Sequence, residues 1–69
     1  MPRIICEALI SDEQEILDLF KQLKSLQIPF QSYRDYVYVD YITNNYTKLD
    51  MVREIFSKVS NCSIKDEGY

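Results

Sequence analysis

The sequence contains no histidine and no tryptophan, and its only glycine is Gly68. Without histidine it lacks the side chain most often used as a general base or transition-metal ligand near neutral pH. A single glycine cannot build a glycine-rich phosphate-binding loop. Cysteine occurs only at Cys6 and Cys62, too few for a structural zinc site. Every apolar run falls short of the roughly 18 residues that a membrane-spanning helix needs. The opening "MPRIICEALI" is interrupted by Glu7 and followed by no small-residue cleavage site, so it does not read as a signal peptide. Asn45-Tyr46-Thr47 and Asn61-Cys62-Ser63 match the glycosylation acceptor pattern, but without a secretion signal they read as chance matches. These absences nominate no catalytic residue, no metal ligand and no cofactor. They point to a cytoplasmic chain that is not an enzyme and has no membrane partner.

What is present suits a compact domain. The 69 residues are 46% hydrophobic, too apolar for disorder and too few for more than one domain, which would span 1–69. A domain of this size buries only about 60% of its unfolded surface, leaving little room for an enclosed active site. Eleven acids against eight bases give a net charge of −3. That balance argues against a phosphate-seeking surface, which usually carries a basic patch. The acids gather at Asp12, Glu13, Glu15 and Asp18, and again at Asp66 and Glu67.

The chain divides into two units, each strand, helix, strand. "RIICEALI", "SDEQEILDLFKQLKSLQ" and "IPFQSY" make the first; "YVYVDYI", "TKLDMVREIFSKVS" and "CSIKDE" make the second. Ser11, with Gln14 three residues on, has capping-box spacing for the first helix. Thr47 stands similarly before the second, with Asp50 three residues later. Ile16, Leu19, Phe20, Leu23 and Leu26 form one apolar stripe; Val52, Ile55, Phe56 and Val59 form another. Phe20 and Phe56 sit mid-stripe and should anchor the helices. Pro29 keeps Ile28 out of helical geometry and ends the first helix. The order βαββαβ suggests an α+β, ferredoxin-like fold: a four-stranded antiparallel sheet in the order 4-1-3-2, both helices on one face. The more apolar first and third strands suit the central positions. Cys62 should then lie near Ile10, about four residues or roughly 13 Å from Cys6, leaving both thiols free.

Side chains alternate across a sheet, so each central strand splits in two. Ile4, Cys6, Ala8 and Ile10 face the helices, and so do Val37, Val39 and Tyr41. Ile5, Glu7 and Leu9 face the other way with Tyr36, Tyr38, Asp40 and Ile42, the two acids marking the side that meets water. Ile5, Glu7, Leu9, Tyr36, Tyr38 and Asp40 are thus the candidate partner-binding residues. Tyrosine suits an interface, because its ring buries area while its hydroxyl stays wet. The same rings would also serve plain cross-strand pairing on a solvated sheet. Glu7 and Asp40, on neighbouring strands, could share a proton or hold a cation. As solvated charges they would instead keep an open sheet from aggregating.

At "RDYVYVDY" the chain resembles the RNA-recognition motif, which has the same element order and a signature octamer on its third strand. Arg34, Tyr36, Tyr38, Val39 and Tyr41 match that octamer; Asp35 replaces its glycine and Val37 its small residue. The resemblance implies single-stranded RNA stacked on Tyr36 and Tyr38 with Arg34 alongside. In "IICEAL", Ile5 stands where the family has a second-signature aromatic. Glu7 and Asp40 lie where a phosphate backbone would pass, which disfavours nucleic acid as the partner. The expectation is therefore a small acidic protein-binding module, an inhibitor or adaptor. It would engage a basic or nucleic-acid-binding protein, or a second copy of itself, through the open face. A phage-type antagonist of a host complex is one concrete form.

Overall fold

The computed structural model describes residues 1–67; Gly68 lies outside them. The elements are β1 (Arg3–Leu9), α1 (Glu13–Ser25), β2 (Gln31–Tyr33), β3 (Tyr36–Ile42), α2 (Tyr46–Ser57) and β4 (Cys62–Glu67). They form an α+β domain with one antiparallel four-stranded sheet in the order β2-β3-β1-β4, the expected order read from its other edge. β1 and β3 are central, and their alternating burial follows the period-2 apolar pattern.

Ile4, Cys6, Ala8, Val37 and Val39 meet Leu19 and Leu23 of α1 and Leu49, Val52 and Phe56 of α2 in one core. Both helices therefore cover the same side of the sheet. Phe56 is the largest fully buried side chain and anchors α2. Phe20 is only partly buried. It stacks on Phe30 with centroids 5.0 Å apart and closes the margin of the core, while Leu19 and Leu23 anchor α1 in its place. Leu49, a full turn ahead of the expected α2 stripe, is completely buried.

The helix caps differ from those expected. Asp12, not Ser11, caps α1: its backbone is extended and its carboxylate accepts from the Gln14 amide at 3.0 Å. Gln14 reaches forward to Asp18 at 3.4 Å and closes no capping box. Asn45 caps α2 by accepting from the Lys48 amide at 3.2 Å, which puts Thr47 inside the first turn. Thr43 supports this cap, its hydroxyl accepting from the Asn45 amide at 3.1 Å. In both cases a residue that is itself a good cap stands next to the one in the right phase.

α1 ends before Pro29 acts. Gln27 takes φ 58°, and its amide donates to the Lys24 carbonyl at 3.0 Å while the Ile28 amide donates to that of Leu23, also at 3.0 Å. That is the Schellman arrangement, with the usual apolar contact supplied by the buried Leu23 and Ile28.

Cys62 lies opposite Ala8, and Cys6 opposite Ile64. The β4 register sits closer to Cys6 than expected, because the Asn61 carbonyl already takes the Leu9 amide at 3.0 Å. Cys6 and Cys62 are diagonal neighbours, about 7–8 Å apart at Cα, still outside ordinary disulfide reach. Both are free, Cys6 buried and Cys62 exposed. Burial, with the Asp66 charge second, pushes the Cys6 thiol up to about 12.

Candidate functional site on the open face of the sheet

The registers assemble the second face row by row. Leu9 lies opposite Tyr36, Glu7 opposite Tyr38, Ile5 opposite Asp40 and Arg3 opposite Ile42. On the β2 side, Tyr33 adjoins Tyr36 and Gln31 adjoins Tyr38. On the β4 side, Ser63 adjoins Glu7, Lys65 adjoins Ile5 and Glu67 adjoins Arg3. The six residues nominated from the sequence thus stand together on the two central strands. No described helix covers them, since the buried helix residues all join the core on the other side.

The face has two unlike ends. At the β1 start, charges pair with each other. Arg3 grips Asp40 with two hydrogen bonds, Nε to Oδ1 at 2.7 Å and Nη2 to Oδ2 at 2.6 Å. It also reaches Glu67 at 3.5 Å, and Lys65 joins Glu67 at 3.1 Å. Those hydrogen bonds lower the pKa of Asp40 and raise that of Arg3. Asp40 is therefore not free to share a proton with Glu7, which sits diagonally across and has no basic partner among the described residues.

At the other end lie Leu9, Tyr33 and Tyr36. Leu9 is 54% exposed and Tyr33 69%, far more than core residues on the same strands. The Tyr36 and Tyr38 rings are nearly parallel, 14° between planes with centroids 6.5 Å apart. Partial desolvation, then the Glu7 charge and hydrogen bond, raises the Tyr36 phenol pKa. Glu7, Leu9, Tyr36, the loop residues Ser60 and Asn61 and the start of β4 border an open depression of about 450 Å³.

Arg34 lies at the rim of the face, not on its strands. It occupies the β2–β3 turn with φ 56° and stands over the Tyr33 ring at 5.4 Å. The face also holds Arg3 and Lys65, bases expected near it from the sequence, and Tyr33 and Glu67, which were not expected there. Carrying the same alternation into β2 and β4 would have found all but the pairing of Arg3. Among the described residues no cluster of three or more metal-ligating side chains occurs, and no helix is long and apolar enough to cross a membrane. Comparison with family models, curated proteins and solved structures finds no match.

Proposed function

We propose that the chain is a small non-catalytic protein-binding module of ferredoxin-like type that engages its partner through the open face of the sheet. The supporting observation is the uncovered aromatic and aliphatic end of that face. Leu9, Tyr33, Tyr36 and Tyr38 form a contiguous apolar surface there, of the kind that marks an interaction site. The neighbouring acids are mostly neutralised from within, so apolar area is what the face offers. Glu7 is the exception and favours a basic group on the partner. An inhibitor or adaptor role fits such a surface.

Single-stranded RNA binding is the second reading, favoured by one observation. Tyr36 and Tyr38 hold nearly parallel rings at the positions where the RNA-recognition motif stacks bases. Charge ranks it lower. Arg3 and Lys65 are engaged by Asp40 and Glu67, so the face has little positive charge to track a backbone.

The experiment is capture from nuclease-treated native lysate by the immobilised chain, run beside the Tyr36→Ala and Tyr38→Ala variants, with a short single-stranded RNA titrated separately. Protein capture should survive nuclease and be lost in the variants, and the RNA should not bind at physiological salt. Micromolar RNA binding that disappears with the tyrosines would reverse the ranking.

A further inference from the structure

We infer that the depression beside Glu7 receives Arg34 from a second copy of this chain, so that two copies pair face to face about a two-fold axis near Tyr36. The inference rests on the open-face reading above and names the partner at that end of the face.

The charges select the pair. Three arginines stand in the described residues. Arg3 is held by Asp40 and Glu67, and Arg53 by Asp50 and Asp66. Arg34 is exposed on the turn, over the Tyr33 ring, and has no ion pair among the described residues. Glu7 is the complementary case, an exposed carboxylate on the platform without a base. No ion pair joins the two among the described residues. Glu7 is opposite Tyr38, two residues beyond Tyr36 along β3, whereas Arg34 is two residues before it. The step from Tyr38 to Tyr36 is roughly 7 Å along the strand, and Arg34 follows in the turn on the other side of Tyr36.

That spacing is what an isologous interface requires, where residue i meets j and j meets i. A two-fold axis through the Tyr36 region carries Arg34 of each copy onto Glu7 of the other. The two contacts form together, around a centre of Tyr36, Leu9 and Tyr33. The depression suits a guanidinium. Its planar fork matches a carboxylate and can lie on the Tyr36 ring, and Ser60 and Ser63 are among the lining residues, hydroxyl side chains able to accept from the remaining N–H groups. One carboxylate alone would be a poor metal site.

The test is mass in solution, by light scattering or sedimentation, from micromolar to about 1 mM protein. The parent should approach twice its 8.2 kDa. Glu7→Arg and Arg34→Glu each place like charges at both contacts, so each alone should be monomeric over that range, dimerising at least tenfold more weakly. Mixed one to one, they should recover a dimer, since both contacts then pair opposite charges; a fold defect in either variant could not give that recovery. A parent that stays monomeric overturns the inference but not the open-face reading, which the lysate capture tests separately. A dimer indifferent to both charge changes but broken by Leu9→Ser and Tyr36→Ala overturns only the Arg34–Glu7 contact. A dimer indifferent to all four changes lies off this face and overturns the inference, while the open-face reading still stands or falls on the lysate capture.

Discussion

Gln27→Gly should stabilise the protein. Gln27 carries the left-handed backbone that closes α1, at φ 58°, where a Cβ costs about 1–2 kcal/mol. Glycine removes that cost but adds roughly 0.5–1 kcal/mol of backbone entropy lost on folding. The Gln27 side chain is exposed, and the hydrogen bonds of the motif come from the backbone amides of Gln27 and Ile28, which the substitution keeps. The balance is a gain of about 0.5–1 kcal/mol. In a domain of this size 1 kcal/mol moves Tm by about 4–8 °C, so a rise of roughly 2–8 °C is expected. Gln27→Ala is the control: it retains the Cβ and should stay within about 0.5 kcal/mol of the parent. Thermal and urea melts of the three proteins decide it. A glycine variant that melts below the parent would refute the reasoning, as would an alanine variant that gains as much.

Phe56 is fully buried at the centre of the core, so Phe56→Ala should cost about 3–5 kcal/mol, close to the whole stability of a small domain. Phe20→Ala, at the margin, should cost visibly less; equal losses in urea melts would contradict the assignment of Phe56 as the anchor. A disulfide-exchange reagent at pH 8 should titrate one fast thiol in the folded protein, the exposed Cys62, and a second only after denaturation, because burial holds Cys6 protonated up to about 12. Two fast thiols would mean that β1 opens readily. Asp40 ionises below its usual 3.8 because Arg3 donates to it, so the native state takes up that proton less readily than the unfolded chain. Its stabilising contribution is complete above the unfolded value and is lost as pH falls through the folded one. Asp40→Asn should therefore lose less stability than the parent between pH 7 and pH 3, and an equal loss by urea midpoint would show the Arg3 bridge to be inert.

Much of the frame was legible because burial imposes strict periods. β3 and β4 carry the boundaries expected from alternation, and the separation of Val37 and Val39 from Tyr36 and Tyr38 follows from the same period. The caps were harder to read. Ser11 and Asp12, like Asn45 and Thr47, are adjacent or near-adjacent competent caps, and residue type does not say which is in phase with the turn that meets the sheet. Leu49 escaped because its stripe was started a turn late. The state of the open-face acids was not legible at all. Asp40 and Glu7 look alike in sequence. Arg3 meets Asp40 only through a register linking residues 37 positions apart, and Glu67 enters from the far edge.

That distinction decides what the face can recognise. A two-layer domain with helices on one side must keep the other side of its sheet wet or give it to a partner. At the β1 start, Arg3, Lys65, Asp40 and Glu67 pair with one another on the wet sheet; the other end is the one proposed to meet a partner. Toward the β2–β3 turn no such cancellation occurs. Leu9 and Tyr33 are left exposed beside Tyr36, and Glu7 and Arg34, of opposite sign, make no ion pair with each other among the described residues. The proposed pairing with a second copy rests on this arrangement: an apolar centre with Glu7 and Arg34 on opposite sides of it has the form that an isologous contact uses.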